Sequence, residues 1–397
     1  MHTWGLGEDG RLGRGLAALE RGVCAEAGEV QVEVKEGEQV AALAMGSHGA
    51  ALTTEDRLFV WGTFLARAPS DGGAADERGA ADDAVDVLVE PEVQPTPFVP
   101  HGVACGRFVT AVVSADGRLY AWGPNEAYQC GVKGGGVLRS LTALPLPAGC
   151  PAVVRASLGE FHGLALTAEG GVLAWGMGQG PEVATGFPGG AARETMDQPV
   201  PRPVEVPRRV LDVAAGGYHS ALVTADGRLW TWGCNDCGQL GHGPGSLAAY
   251  PRPRALDALG APGARRVARV ALGGFHSVAV DEDGAAYSWG DNRRGQCGLG
   301  DLPRADAPCR VDFAPADARC VGATCGGLFS YFQVCIGDAA PPQFYACGLG
   351  KDGCLGFGQA CKKMLRPRPL PAGPGGRRWA HVEAGVVHVA ALLAAEE

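Results

Sequence analysis

Short apolar runs recur along the chain, and in three places an Asp-Gly pair separates two of them. In the clearest case, Ser220–Thr224 and Arg228–Trp232 flank a turn at Asp226-Gly227. Asp-Gly between alternating apolar runs is a strong signal for an antiparallel hairpin, because both residues accept the backbone angles of a tight turn. The pattern therefore predicts many short strands joined by tight turns.

A tryptophan-glycine pair recurs at nearly constant intervals. The steps between successive pairs are 57, 61, 53, 57, 57 and 58 residues when Cys347-Gly348 takes the seventh place. Spacing of this kind by a rare residue type marks an internal repeat. We call these positions the tryptophan column, which contains Trp4, Trp61, Trp122, Trp175, Trp232 and Trp289.

A histidine column follows the same rhythm. A histidine stands 13 residues before the tryptophan, as in His219 and Trp232, and Val109 and Phe329 replace it in two repeats. Counting 13 residues on from the last histidine gives position 401, four past the final residue 397, whereas the first tryptophan is at position 4. We therefore expect the N-terminal strand to complete the last repeat. The histidine column consists of His48, His162, His219, His276 and His388.

Seven repeats of short strands predict an all-β, seven-bladed β-propeller that occupies residues 1–397 as a single domain. The expected pairing of the N- and C-terminal strands closes the ring and leaves no unpaired edge between the first and last blades.

Two motifs give the repeat its identity. One is Trp232-Gly-Cys-Asn-Asp-Cys-Gly-Gln-Leu-Gly, and the other is Gly216-Gly-Tyr-His219. With these motifs the chain resembles the regulator of chromosome condensation family of propellers over nearly its whole length. The repeats at Trp61 and Trp175 depart from the pattern after the tryptophan, which predicts altered loops in those blades.

The two columns are interpreted as structural. The histidines lie one per blade, so no single metal ion could gather them, and we expect each to bond within its own blade. No catalytic, cofactor or metal motif stands outside the repeat, so an active site of its own is not expected.

The spacing between blades varies, and surface loops on a rigid scaffold are where binding usually occurs. We predict surface insertions at about 64–100 and 178–203, and a lengthened hairpin at Gly337–Pro342. The first insertion is acidic, and its carboxylates are the candidate partner contacts: Asp76, Glu77, Asp82, Asp83 and Asp86.

Charge and composition narrow the function classes. A net charge of −9 disfavours a protein that coats nucleic acid or chromatin. We find no signal peptide and no apolar run long enough to span a bilayer. Fourteen cysteines without a secretory signal indicate reduced thiols, so we expect the protein in the cytoplasm or nucleus. We also expect a monomer.

The family resemblance implies a protein-binding propeller, and in this family one face can grip a small GTPase and accelerate release of its nucleotide. The sequence does not identify exchange residues, and a non-catalytic adaptor remains the alternative. Chromatin binding and an ultraviolet-B photoreceptor are the remaining hypotheses. The photoreceptor with this fold carries tryptophan in Gly-Trp-Arg-His-Thr runs, whereas no tryptophan precedes the histidine column here.

Overall fold

The computed structural model describes the chain except for residues 7–11, 13, 15–22, 31, 36, 66–84, 178–196, 207, 246–249, 260–264, 338–340, 359 and 396–397. In chain order the strands are β1 (His2–Leu6), β2 (Val23–Glu29), β3 (Val40–Met45), β4 (His48–Thr53), β5 (Leu58–Leu65), β6 (Val85–Gln94), β7 (Pro100–Cys105), β8 (Thr110–Ser114), β9 (Leu119–Pro124), β10 (Val137–Ala143), β11 (Val153–Leu158), β12 (His162–Thr167), β13 (Val172–Gly176) and β14 (Gln198–Val204). They continue as β15 (Val210–Ala215), β16 (His219–Thr224), β17 (Leu229–Gly233), β18 (Tyr250–Ala255), β19 (Val267–Leu272), β20 (His276–Asp281), β21 (Ala286–Asp291), β22 (Arg304–Arg310), β23 (Arg319–Cys325), β24 (Phe329–Cys335), β25 (Gln343–Leu349), β26 (Lys363–Pro369), β27 (Trp379–Ala384) and β28 (His388–Leu393). A short 3-10 turn covers Pro374–Gly376.

These strands form seven four-stranded antiparallel sheets, which are the blades of a β-propeller, as the repeat predicts. Blades 1 to 6 are β3–β6, β7–β10, β11–β14, β15–β18, β19–β22 and β23–β26, and blade 7 combines β27 and β28 with β1 and β2.

The sequence of each strand matches its depth in the blade. The second strands of blades 1 to 5, such as β16 with His-Ser-Ala-Leu-Val-Thr, are buried along their whole length, because neighbouring blades cover both sides. The outermost strands, such as β10, are half-exposed and more polar. An apolar second strand followed by an Asp-Gly turn therefore specifies the buried centre of a blade.

The predicted hairpin at Asp226-Gly227 is present. Strand β16 pairs antiparallel with β17, and Val223 lies opposite Leu229. Gly227 has φ of +78°, a backbone angle that L side chains rarely adopt. This conformation explains why the turn residue is glycine.

The ring closes as expected. Strand β1 lies between β28 and β2, with Trp4 opposite Val389 and His2 opposite Glu29. The chain's first strand is therefore the third strand of blade 7, and closure depends on its pairing with the chain's last strand.

The ranges 64–100 and 178–203 are not loops throughout, which corrects part of the sequence interpretation. Val85–Gln94 forms β6, the outer strand of blade 1. Gln198–Val204 forms β14, the outer strand of blade 3. Outer strands carry polar and proline residues because one of their edges is free, so their sequences resemble those of loops.

Candidate partner-binding face

One end of the ring collects two kinds of connection. Neighbouring strands are antiparallel, so the turn after the first strand and the connection after the third strand of each blade lie at the same end. We call this end the loop face. The Asp-Gly turns, such as Asp226-Gly227, lie at the opposite end.

Backbone hydrogen bonds between blades hold the loop face together. The amide of Ser47 donates to Arg107 O at 3.0 Å, and that of Gly217 to Gly273 O at 3.0 Å. The bond from Val386 N to Gly46 O, at 2.9 Å, joins blade 7 to blade 1. The turns after the first strands therefore form a cross-linked belt around the central channel.

Glycine in these turns allows neighbouring backbones to touch. A Cβ added at Gly217 would lie 2.7 Å from Gly274 O, and one at Gly46 would lie 1.7 Å from Gly106 O. No side chain fits at these distances, so the glycine of the motif Gly216-Gly-Tyr-His219 is required by the contact between blades.

The connections after the third strands are shaped by the Asn and Gln of the first motif. In blade 4 the side-chain oxygen of Asn235 accepts from Leu240 N at 2.9 Å, and that of Gln239 accepts from Cys237 N at 2.9 Å. Asn292 and Gln296 make the same bonds in blade 5, at 2.9 and 3.0 Å. These side chains satisfy backbone donors that the turn would otherwise leave unpaired.

Four histidines of the column each join one blade to the next one. Nε2 of His162 lies 2.9 Å from Ser220 Oγ in the following blade, and Nε2 of His219 lies 2.9 Å from Ser277 Oγ. The prediction that these histidines bond within their own blade is therefore wrong. In each pair the hydroxyl belongs to the residue that directly follows the histidine-column position of the next blade. The second strand of that blade holds this residue against the preceding blade. The other two such pairs are His48 with Thr110 at 2.5 Å and His276 with Ser330 at 2.7 Å.

The tryptophan column shares an acceptor with these hydroxyls. Gln239 O accepts both from Ser277 Oγ at 2.7 Å and from Trp289 Nε1 at 2.8 Å. A hydroxyl has one hydrogen, so Ser277 accepts the bond from His219, which assigns the proton to His219 Nε2. Trp175 Nε1 makes the equivalent bond to Gln129 O at 2.9 Å. The tryptophan-column side chains are at most 7% exposed.

Burial keeps the histidines neutral. Desolvation lowers the pKa of His219 to about 3. Desolvation also lowers the pKa of the other three hydroxyl-bonded histidines to about 4: His48, His162 and His276. Neutral imidazoles in a dry interface connect blades, and they are not poised for proton transfer near pH 7.

Half-exposed aromatic side chains stand on the loop face beside the histidine column. The ring centroids of Phe161 and Tyr218 are 5.8 Å apart, as are those of Tyr218 and Phe275. We call these three residues the aromatic ladder. The hydroxyl of Tyr218 donates to Glu160 Oε2 at 3.2 Å, and Arg107 pairs with the same oxygen at 2.9 Å. The ladder therefore offers apolar rings bordered by both signs of charge.

The central channel opens beside the ladder. The first strands line a cavity of about 670 Å³. Inside it, Arg155 pairs with the buried Asp212, whose pKa is raised, chiefly by burial. Burial also raises the pKa of the Cys105 and Cys325 thiols to about 12, so these thiols are not nucleophilic near pH 7.

The predicted acidic contacts fall largely outside the described residues, which is where Asp76, Glu77, Asp82 and Asp83 lie. Asp86 is described, and its backbone lies in β6 opposite Phe64. Strand β5 continues three residues beyond Gly62, the column glycine, whereas β13 and β17 end at theirs. The hairpin of blade 1 therefore extends at the loop face, a feature that the sequence did not predict.

Metal-binding clusters and membrane-spanning helices are both absent from the described residues. Among them, no group of three or more His, Cys, Asp or Glu side chains could hold a metal ion. No helix in the described part of the chain is long and apolar enough to cross a membrane.

The sequence model of the RCC1-like domain family matches residues 1–391. The chain belongs to the RCC1-like domain family. The ultraviolet-B receptor UVR8 of Arabidopsis thaliana is 27% identical over 371 residues, covering 90% of this chain and 74% of that protein. The X-linked retinitis pigmentosa GTPase regulator homolog of Caenorhabditis elegans is 26% identical over 261 residues, covering 62% of this chain and 18% of that protein.

Solved structures share the fold. Prp20p of Saccharomyces cerevisiae, described with its binding to Gsp1p and histones, aligns with a TM-score of 0.79 at 22% identity, covering all of this chain and 91% of that chain. Human WBSCR16 aligns with a TM-score of 0.78 at 21% identity, covering 99% of both chains. At these identities the likenesses show that the chain shares the propeller fold.

Proposed function

We propose that this protein regulates a small GTPase by gripping it with the loop face, in the manner of a nucleotide-exchange factor. The observation that carries the proposal is the aromatic ladder, Phe161, Tyr218 and Phe275, held half-exposed on a cross-linked belt. Aromatic side chains on a rigid support are typical anchors of protein interfaces.

Exchange of this kind needs no bond-making chemistry. A surface that binds the nucleotide-free GTPase more tightly than the loaded form accelerates nucleotide release, because only a difference in affinity shifts the equilibrium. A rigid face suits this task, since little of the binding free energy is spent on ordering it. Arg107 and Glu160, paired at 2.9 Å beside the ladder, supply polar groups that orient a partner.

The comparisons favour this function through the names of the relatives. One relative is named as a homolog of a GTPase regulator, and Prp20p is described with its binding to Gsp1p. The family tie supports a binding propeller, and the ladder supplies the surface on which a partner would dock.

The test has two stages. Affinity capture with the full chain identifies a GTPase, and release of a fluorescent guanine nucleotide from that GTPase is then timed. We expect catalytic amounts of this protein to accelerate release many-fold, and excess free nucleotide to dissociate the complex. The variant Tyr218→Ala should slow release without lowering thermal stability. Val321→Ala, at the opposite mouth of the channel and 47% exposed, is the matched control and should leave the rate unchanged.

The second candidate is an adaptor without exchange activity, which would bridge proteins through separate surfaces. It is favoured if a GTPase binds and its nucleotide release is unchanged, or if capture recovers only other proteins. Capture of nucleosomes that weakens as salt rises would instead favour chromatin binding.

An ultraviolet-B photoreceptor is disfavoured by where the tryptophans lie. The aromatic side chains of the ladder are phenylalanine and tyrosine. Trp61, Trp175, Trp232 and Trp289 are fully buried within the blades, one in each. A light-sensing cluster would need several tryptophans in mutual contact on one face.

A further inference from the structure

The outer rim of the loop face carries a second cavity, remote from the aromatic ladder. It lies between the connection after the third strand of blade 5 and the outer strand of blade 6, β26. Its volume is about 740 Å³. Its apolar walls include Phe357, Met364 and Leu365, and its charged lining consists of Lys363, Arg366, Arg368 and Asp301.

The walls of this rim cavity are tied together by backbone contacts between the two blades. Gly300 N donates to Leu365 O at 2.8 Å, and a Cβ added at Gly295 would lie 2.4 Å from Met364 O. Gly350 N donates to Lys362 O at 2.9 Å, which fixes the start of β26. The cavity therefore exists before any ligand binds.

The cations of the rim cavity lack carboxylate partners. Lys363, Arg366 and Arg368 are exposed, and none of them forms an ion pair within the described part of the chain. With Asp301 as the one lining carboxylate, three positive charges and one negative charge leave a local excess of two positive charges, in a chain of net charge −9.

Two arginines on the outer strands of other blades have partners within their own strand. Arg304 of β22 pairs with Asp306 at 2.7 Å, and Arg254 of β18 stacks over Tyr250 at 4.7 Å from the ring centroid. Exposed arginines without an ion pair to the described residues also occur on other outer strands, as at Arg252 of β18, so the rim cavity is distinguished by three cations placed around one apolar opening.

The outer edge of β26 is poorly suited to adding another strand. Pro367 and Pro369 have no N–H to donate, and Leu365 O is already bonded to Gly300 N. Recognition at this site therefore falls to side chains, with cations around the opening and an apolar pocket between them.

We propose that the rim cavity binds an acidic segment of a partner protein, with one bulky apolar side chain of that segment inserted between Phe357 and Met364. An acidic peptide neutralises the excess positive charge, and its apolar side chain contacts the apolar walls. A sugar-phosphate backbone would leave those walls uncovered. A peptide therefore fits the cavity better than a nucleic acid does. The site is separate from the aromatic ladder, so the inference does not depend on whether a GTPase docks there.

The probe is a fluorescein-labelled twelve-residue peptide of Asp and Glu with one central Phe, titrated into the full chain and followed by fluorescence anisotropy. We expect saturable binding that weakens as salt rises. Replacing the central Phe by Ala should weaken binding about 10-fold or more, because the apolar anchor is lost.

Variants locate the site. Combining Lys363→Gln with Arg366→Gln should weaken binding about 5- to 10-fold, since two exposed charge interactions are removed. Arg252→Gln, which removes an exposed arginine from β18, is the matched control and should change binding less than about 2-fold. Thermal melting of each variant should match that of the unchanged protein.

Three results would overturn the proposal. If the Phe and Ala peptides bind equally well, the apolar pocket does not contribute to recognition. Equal effects of the β18 and β26 variants would indicate diffuse charge attraction. A twelve-nucleotide single-stranded DNA that binds through Lys363 and Arg366 more tightly than the peptide would assign the cavity to nucleic acid.

Discussion

At the residue scale, two sequence columns that look independent form one hydrogen-bonded unit between blades. His219 contacts the hydroxyl of Ser277, and Ser277 shares Gln239 O with Trp289. Where the column residue is Val109 or Phe329, the position that would face it holds Gly163 or Val389, neither of which has a hydroxyl. The match between column residue and facing hydroxyl is incomplete, because the position that faces His388 holds Gly49, and it is recognised only once the contact between blades is known.

Trp232→Ala should destabilise the protein by about 3–5 kcal/mol, because a large, fully buried aromatic side chain leaves a cavity. Trp230→Ala, two residues earlier in β17, is the matched control. Trp230 is half-buried, so its replacement should cost less. Denaturant unfolding measures both changes. If Trp232→Ala leaves stability intact and removes an ultraviolet response, the structural role of the column is refuted.

Stability should fall as the pH drops below about 6.5. In the unfolded chain a histidine binds a proton near pH 6.5, whereas in the folded chain burial lowers the pKa of His162 to about 4. Between these values the unfolded state binds more protons, so each such histidine removes about 1.4 kcal/mol of stability per pH unit as the pH falls.

The variant His162→Gln isolates this effect, since its amide can still reach Ser220. The slope of unfolding free energy against pH between about 6 and 4.5 should be shallower by up to about 1.4 kcal/mol per unit than in the unchanged protein. An identical slope would show that His162 is not held neutral by burial.

At the element scale, a strand's position in the blade decides its composition. The second strands are buried and apolar at their centres because they are covered on both sides, whereas the outer strands β6 and β14 are polar enough to resemble loops. Buried strands could therefore be placed from sequence to within a residue or two. The outer strands could not, because their formation depends on pairing with a neighbour and their own pattern is weak.

Strand β1 should be indispensable, although it lies at the chain terminus. Deleting Met1–Leu6 removes the third strand of blade 7, exposes the edge of β28 and separates β2 from its blade. We expect loss of cooperative thermal unfolding or insolubility, because tolerance of truncation depends on pairing and burial. A synthetic peptide of residues 1–15 should restore cooperativity in part, and a scrambled peptide should not. An unchanged melting temperature after the deletion would contradict closure by β1.

At the scale of the whole molecule, the ring brings together segments that are far apart in sequence. The aromatic ladder gathers residues from three blades, and the rim cavity joins connections of blades 5 and 6. The extended hairpin of β5 and β6 ends at the same face. One face thus presents chemically different surfaces.

Replacing residues 70–84 with a short Gly-Ser linker should leave the fold standing. The flanking strands β5 and β6 stay paired through Leu65 and Val85, and closure entropy changes by only about 0.6 kcal/mol per doubling of loop length. Thermal melting tests the fold. Partner binding that is weakened by the replacement and by salt would support the acidic contacts, and unfolding would show that the segment packs as part of blade 1.

The sequence by itself determined the number of blades, their order, the hairpin turns and the closure of the ring. These properties follow from local periodicity and turn chemistry, which act between residues close along the chain, and from the register that links its two ends. The tertiary structure alone decided which hydroxyl each histidine contacts, which side chains form the ladder and where the uncompensated cations gather. Those contacts join residues about one repeat or more apart, and their distances depend on how the blades pack around the channel.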